Sequence, residues 1–304
     1  MIKERDFFVS SLSHNNNNSS AAINNKSNNV WSLGSYSEFA IFILPVSAHL
    51  VRISNISSGD QVLDVACGTG NMAITARRMV PHIKVTGIDL TSELLTQAKD
   101  QAILAEVDDI EWKESDVESL PFEDKVFDVI LSNFGHMYAP HPQIAIKEMI
   151  RVTKPGGCIA FSTWPFELVY GKLFEAMAKH LPANTNSIYS SSNQSEQQQQ
   201  TQSSPIQWGN PETVQRLLLD VGSNDNIEDI HFERGVVKIP VLSPNHYWSR
   251  ISTSSGPVIQ AIQSIKEPSM IEALKKDVLE AIAPYYKDNE LRLDYLITIA
   301  IKKK

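Results

Sequence analysis

Four polar side chains recur along the first half of this chain, each where an apolar run gives out: Asp64, Asp89, Asp116 and Asn133. The first sits in Val62-Leu63-Asp64-Val65-Ala66, which leads into Cys67-Gly68-Thr69-Gly70-Asn71, a glycine turn that opens a helix. Gly68 and Gly70 carry no Cβ, so the turn backbone can come close to a ligand. A dinucleotide site would place its pyrophosphate on the helix N-terminus, where Asp64 repels it. The third glycine of a dinucleotide fingerprint is also missing, because Ala73 stands there. An NAD-dependent oxidoreductase is therefore the weaker reading. The turn suits a ligand with a cationic amino group and no phosphate.

Asp89 follows the turn by about 20 residues, where an acceptor for a ribose diol belongs. Ser115-Asp116-Val117 places a carboxylate that can accept from an adenine amino group, and Asn133-Phe134-Gly135-His136 closes a fourth apolar run. A lone glycine turn is weak testimony. Acids in register at successive strand ends describe a site for adenosine joined to an amine. S-adenosylmethionine is such a ligand.

The elements that must position these groups alternate. Short apolar strands are expected at Gln61 to Ala66, Lys84 to Ile88, Ile110 to Lys113, Phe127 to Ser132 and Cys158 to Thr163. Helices are expected from Tyr36 to Ile53, from Asn71 to Met79, after a cap at Thr91 or Ser92, and from Pro142 to Val152. Lys154-Pro155-Gly156-Gly157 reads as a helix stop before the fifth strand. Continuous apolar strands separated by helices indicate a parallel sheet covered on both faces. Beyond Ile206 the pattern changes to helices at Glu212 to Val221, His246 to Ile251, Pro257 to Ile265 and Ser269 to Ala283, with strands at Phe232 to Ile239 and Asp294 to Ile301. The expectation is an α/β fold: a Rossmann-like, doubly wound, mostly parallel sheet of seven strands with an inserted helical cap. Residues 1–30 read as a disordered leader, 31–181 as the ligand-binding core, 182–206 as a low-complexity loop, and 207–304 as cap and closing strands. The leader and loop are dominated by Asn, Ser and Gln and bury too little apolar surface to offset ordering entropy.

The net charge of −8 disfavours a broad phosphate-binding surface, and no nucleic acid is expected as partner. Two cysteines, Cys67 and Cys158, give neither a metal-ligand spacing nor a disulfide framework. No metal site is expected, and a reducing, cytoplasmic setting is the simplest reading. The longest apolar run, Phe39 to Val46, contains Pro45 and is too short to span a bilayer. A homodimer is an open option.

The chain resembles the class I S-adenosylmethionine-dependent methyltransferases, in particular the ubiquinone/menaquinone-biosynthesis-like "type 11" branch. The segments that carry the resemblance are Asp64 to Asn71, Thr86-Gly87-Ile88-Asp89-Leu90-Thr91, Ser115 to Phe122, Phe127-Asp128-Val129, Ser132 to Gly135 and Arg151 to Gly157. Their order and spacing match from about Trp31 to Trp164. Trp31-Ser32-Leu33-Gly34-Ser35-Tyr36 is similar to the family's Trp-x-x-Gly-Asp-Tyr, with Ser35 replacing the acid, and Ala66 stands where most members have glycine. The resemblance implies a role for each residue. Gly68 and the backbone around Ala66 would face the methionine moiety, with Asp64 near its ammonium. Asp89 would accept from the ribose hydroxyls, and Leu90 would pack on the adenine. Asp116 would meet the adenine amino group, and Val117 would offer its backbone amide. Asn133 would lie beside the sulfonium, and Trp31 and Tyr36 would close over the cofactor.

The implied activity is methyl transfer to a small-molecule acceptor, at carbon or oxygen, with a quinone-like or other apolar aromatic metabolite in view. A non-catalytic S-adenosylmethionine-binding protein is the alternative, because cofactor motifs report binding and not turnover. His136 is the candidate general base, needed if the acceptor is an aliphatic hydroxyl. Cys67 reads as a core or turn residue, and Met137, Tyr138 and Trp164 as walls of the acceptor pocket. The residues that choose the acceptor are expected in the cap, roughly Glu167 to Pro182 and Ile206 to Pro284.

Overall fold

A computed structural model describes residues 30–181, 205–222 and 227–304. The expected leader and nearly all of the polar tract from 182 to 206 lie outside the described residues.

Eight strands form one sheet: β1 Gln61–Val65, β2 Lys84–Asp89, β3 Ile110–Glu114, β4 Phe127–Asn133, β5 Thr153–Thr163, β6 Ile227–Pro240, β7 Tyr286–Lys287 and β8 Glu290–Lys302. Seven of them run in the order β3-β2-β1-β4-β5-β8-β6, and the two-residue β7 pairs only with β8. The first five are parallel; β8 is antiparallel to both β5 and β6. This is the expected doubly wound sheet, and its order reverses between β1 and β4. Crevices at such a reversal, beyond the carboxyl ends of the strands, are where ligands bind.

Alternation along the strands divides the core in two. Leu63, Val65, Ile130, Ile159 and Phe161 face one apolar cluster, and Val62, Val129, Leu131, Cys158 and Ala160 face the other. Asp64 therefore points to the same face as Val62, toward helix α3 (Asn71–Met79). A carboxylate occupies a position where the pattern calls for an aliphatic side chain.

The expected helix from Tyr36 to Ile53 is broken into α1 Tyr36–Ala40, a 3-10 turn Ile41–Ile43 and α2 Leu44–Ile53. Pro45 is the reason. It has no N–H and fits only the first turn of a helix, so the helix restarts at Leu44. The run has the length and apolar character of a membrane span. Here it is a helix of the domain: α2 packs on α3 and buries Val46, Ser47, Leu50 and Val51.

A second difference concerns Lys154 to Gly157. Helix α5 (Pro142–Val152) ends as expected, but β5 begins at once with Thr153. Thr153 pairs with Phe127 and Cys158 with Val129, so the four residues between them bulge from the ladder. Gly156 takes a positive φ of 77° there. The closing strands β6 and β8 are longer than expected. Their far halves, Val236 to Pro240 and Glu290 to Asp294, pair beyond the edge of β5 and carry the helices between them. Those helices are α8 Pro244–Ser254, α9 Gly256–Ser264 and α10 Pro268–Ile282; α6 Val169–Ala178 packs on α10, and α7 Pro211–Gly222 on α5.

The glycine turn itself is shaped by a side chain from β3. Gly70 has a φ of 81°, and a Cβ on it would meet the Trp112 ring at 2.6 Å and Ala98 at 3.0 Å. A Cβ on Gly87 would meet the same ring at 2.6 Å. Trp112 thus occupies the space that the two glycines leave. Gly70→Ala combines left-handed strain with overpacking and is expected to cost about 2–4 kcal/mol. A urea-unfolding midpoint would show the loss, and Trp112→Leu in the same chain should restore part of it.

Candidate cofactor site

A cavity of about 590 Å3 opens at the carboxyl ends of β1, β2 and β4. Ten of the expected residues line it: Trp31, Tyr36, Asp64, Ala66, Gly68, Asp89, Leu90, Asp116, Val117 and Asn133. Gly70 does not; its role is the packing against Trp112. His136 does not either.

Asp64 is fully buried. Its Oδ2 accepts from the Ala73 backbone N–H at 3.0 Å, in the first turn of α3, while its Oδ1 is buried with no hydrogen-bond partner among the described residues. Burial, and then the charge of Asp89, push the Asp64 carboxyl well above the usual range, against the Ala73 bond. Asp89 is also held upward, by burial first, although Gly68 N–H donates to its Oδ2 at 2.8 Å and Thr91 N–H to its Oδ1 at 2.9 Å. Burial and these two acids raise the Tyr36 phenol as well. The site therefore concentrates negative charge with no cation beside it among its described lining residues. A buried acceptor with nothing to accept is costly, and a cationic ligand group relieves it.

Close backbone approach completes the cradle. Ala66 at the tip of β1 has a φ of 52° and Phe134 at the tip of β4 a φ of 64°, left-handed values that side chains adopt at a cost. A Cβ on Gly135 would fall 2.4 Å from the Ala66 carbonyl oxygen, so only glycine lets these two tips touch. Asn133 is held at both ends of its amide: its Nδ2 donates to Ser47 Oγ at 2.9 Å, and its Oδ1 accepts from Ser162 Oγ at 2.5 Å. That network bolts α2 and β5 to the tip of β4. Trp31 and Tyr36 reach the cavity from a strap fastened at both ends. Asn71 Nδ2 donates to Ala40 O at 3.0 Å, and Ser35 N–H to Ser254 O at 3.2 Å.

The structure corrects the expectation for His136. The ring is fully buried, packs on Phe161 at 4.4 Å and on Trp208 at 4.5 Å, and has no hydrogen-bond partner on either nitrogen among the described residues. Burial lowers its pKa to about 3. An imidazole that is enclosed and held neutral does not reach the cavity as a base. Met137 and Trp164 are likewise core residues, both almost without exposed surface, and only Tyr138 of that trio lines the cavity. Sequence reasoning missed Thr91, Leu94 and Pro205 as lining residues. The first two lie within the turn of chain after Asp89 and were within reach of the argument. Pro205 lies beyond the polar tract, and nothing local marks it.

A family model described as a methyltransferase domain matches residues 56–216. An uncharacterized protein of Mycobacterium tuberculosis is 33% identical, with 90% of this chain and 93% of that protein aligned. A ubiquinone/menaquinone biosynthesis C-methyltransferase of Bdellovibrio bacteriovorus is 39% identical over 44% of this chain and 53% of its own length. Among solved structures, the YcgJ protein of Bacillus subtilis superposes with a TM-score of 0.55 at 18% identity, covering 86% of this chain and 99% of that one. A putative methyltransferase of Bacillus halodurans gives 0.54 at 20% identity, covering 85% and 99%. The chain belongs to the class I S-adenosylmethionine-dependent methyltransferases. The cofactor is S-adenosylmethionine.

The enclosed imidazole has a consequence for stability. Its folded pKa lies below that of the unfolded chain, so the unfolded state binds the extra proton as pH falls below about 6.5. Stability is then lost with falling pH, by at most about 1.4 kcal/mol per unit, until the pH nears the folded value. The raised carboxyls of Asp64 and Asp89 act with the opposite sign, since the folded state holds their protons more tightly. Comparing the wild type with His136→Phe cancels those terms. Urea unfolding at stepwise lower pH should show the variant gaining on the wild type between pH 7 and 4.

Proposed function

We propose that this protein transfers the methyl group of S-adenosylmethionine to a small-molecule acceptor, at carbon or oxygen, with the cofactor in the cavity at the carboxyl edge of the sheet. The observation that carries this reading is the Oδ1 atom of Asp64, buried and without a hydrogen-bond partner among the described residues, on a side chain that lines the cavity. A methionine ammonium answers that atom and the charge around it. A dinucleotide pyrophosphate would add negative charge to a site that already has too much.

When bound, the cofactor supplies an electrophilic methyl carbon on a neutral leaving group, so the protein has little covalent chemistry to perform. Asp64 would hold the ammonium and Asp89 the ribose hydroxyls, each with lone pairs left after its backbone bonds. Leu90 would cover one adenine face. Asp116 would accept a hydrogen bond from the adenine amino group while its Oδ1 stays fixed by the Glu118 N–H at 2.9 Å. Asn133 lies at the methyl-transfer end but is already held by Ser47 and Ser162, so its contribution is rigidity. Trp31 and Tyr36, on their fastened strap, would exclude water over the sulfonium. With His136 enclosed, an acceptor whose nucleophile ionises easily fits better than an aliphatic alcohol. The Bdellovibrio relative is named for C-methylation in ubiquinone/menaquinone biosynthesis, and a quinone-like acceptor agrees with that requirement.

Calorimetric titration with S-adenosylmethionine and with NAD tests the cofactor half; only the first should bind. Asp64→Asn removes the charge that seeks the ammonium and should weaken S-adenosylmethionine binding at least about tenfold. The same variant should leave the ligand-free protein as stable as the wild type or more so, because it also removes a buried, uncompensated charge. A ligand-free melting temperature that drops while affinity holds would contradict the reading. Release of S-adenosylhomocysteine across a panel of phenols, enols and amines tests the transferase half.

A further inference from the structure

The segment that carries the adenine acid is stitched along helix α5. After β3 the chain turns at Asp116, whose Oδ1 accepts from the Glu118 N–H at 2.9 Å and whose carbonyl accepts from the Ser119 N–H at 3.1 Å. An aspartate that bonds the backbone two residues on is tied to one orientation, and its second oxygen stays outside that bond. Further along, the Leu120 N–H donates to Glu148 Oε2 at 2.8 Å. The Arg151 guanidinium donates to Leu120 O at 3.0 Å and to Phe122 O at 2.7 Å. Glu148 and Arg151 both belong to α5.

Glu118 is the stitch nearest the cavity. Its side chain is mostly buried, at 14% exposure, and one residue takes up both of its oxygens. Oε1 accepts from the His141 N–H at 2.5 Å, and Oε2 lies 2.8 Å from His141 Nδ1. His141 is the N-cap of α5, where a carboxylate is favourably placed against the helix dipole. The residues that precede each partner line the cavity: Ser115, Asp116 and Val117 before Glu118, and Ala139 and Pro140 before His141. These two segments leave β3 and β4, which are separated in the sheet by β2 and β1. No ladder hydrogen bond joins the two strands, and the Glu118–His141 pair ties one segment to the other directly.

We propose that Glu118 is a positioning residue for cofactor recognition: anchored on His141, it fixes the Asp116 carboxylate toward the adenine amino group and so sets the selectivity for adenine over a 6-oxopurine. This rests on the methyltransferase reading and names the device that holds its adenine contact. The 6-amino group of adenine donates and its N1 accepts, which suits the carboxylate of Asp116 beside the N–H of Val117. A 6-oxopurine carries a carbonyl at the first position and a proton on N1, so acceptor would meet acceptor and donor would meet donor. Discrimination of this kind comes from polar groups left unpaired by the wrong ligand, and it is large only where those groups cannot turn away. Asp116 on its own would swing about its side-chain torsions. The Glu118 N–H removes that freedom only as far as Glu118 itself is fixed, and the two bonds to His141 fix it.

The test is calorimetric and uses the full chain, with S-adenosylhomocysteine compared against its 6-oxo analogue, S-inosylhomocysteine. The wild type should bind the adenine compound at least about tenfold more tightly. Glu118→Ala should lower that ratio about threefold or more, through weaker S-adenosylhomocysteine binding, with the affinity for the 6-oxo analogue changed by less than about twofold. Glu118→Gln keeps one oxygen for the His141 N–H and should fall between the wild type and Glu118→Ala. It gives a reading even where the alanine variant folds poorly. Equal weakening of both compounds would make Glu118 a support for the fold alone and overturn the proposal. A ratio unchanged in the variants would do the same, as would a wild type that binds the two compounds equally. A wild type that binds neither compound would instead overturn the methyltransferase reading beneath it.

Discussion

A carboxylate placed on the buried face of a parallel strand sets the terms for everything around it. Asp64 takes a position that alternation assigns to an aliphatic side chain, and burial makes its charge expensive. The fold answers only half of that cost, with the Ala73 N–H at the head of α3. A second acid, Asp89, is brought in by the parallel register of β1 and β2, which pairs Asp64 with Gly87 two residues before it. Neither acid has a side-chain cation as a hydrogen-bond partner among the described residues. The ligand-free molecule thus holds a deficit of positive charge at one edge of its sheet, and binding a cationic group stabilises protein and complex together.

Keeping that edge rigid is the work of packing and hydrogen bonds behind the cavity wall. Trp112 fills the hollow under Gly70 and Gly87, which fixes the path of the turn. Gly135 lets the tips of β1 and β4 meet, and the left-handed Ala66 and Phe134 store strain there that the surrounding core must hold in place. The Asn133, Ser47 and Ser162 network ties three elements to the same tip. The strap carrying Trp31 and Tyr36 is fastened to the core through Asn71 and to the cap through Ser254. Ser254, at the α8–α9 junction, is thus one of the anchors of the segment that brings Trp31 and Tyr36 to the cavity. Gly256 marks how tight that junction is, since a Cβ there would fall 1.9 Å from the Val30 carbonyl.

The cofactor edge was legible in the sequence because each of its groups is placed by backbone alone. A strand end fixes where Asp64, Asp89, Asp116 and Asn133 emerge, so residue type and spacing suffice. The fold was legible for the same reason, although the antiparallel direction of the closing strands was not. Side-chain orientation was not. His136 follows the end of β4 as a base would, but its ring turns inward onto Phe161 and Trp208, a choice made by packing with residues far along the chain. Gly70 looked like part of the ligand cradle because nothing near it in sequence points to Trp112. The break at Pro45 was not foreseen, because apolar spacing alone carries no account of a missing N–H.

The same distinction explains why the methyl donor is easier to recognise than the acceptor. The donor meets one edge of one sheet, built from consecutive strands whose register is set by hydrogen bonds. The aromatic side of the cavity is assembled from Trp31 on the strap and Tyr138 after β4, with Tyr170 of α6 bonded to Tyr138 and Tyr247 of α8 close enough to bear on Tyr170. No period or motif joins four residues spread over more than two hundred positions. They meet because β6 and β8 extend past β5 and hold the cap over the carboxyl edge. Contacts of that kind are decided by packing between elements far apart in the chain, and the order of the residues does not contain them.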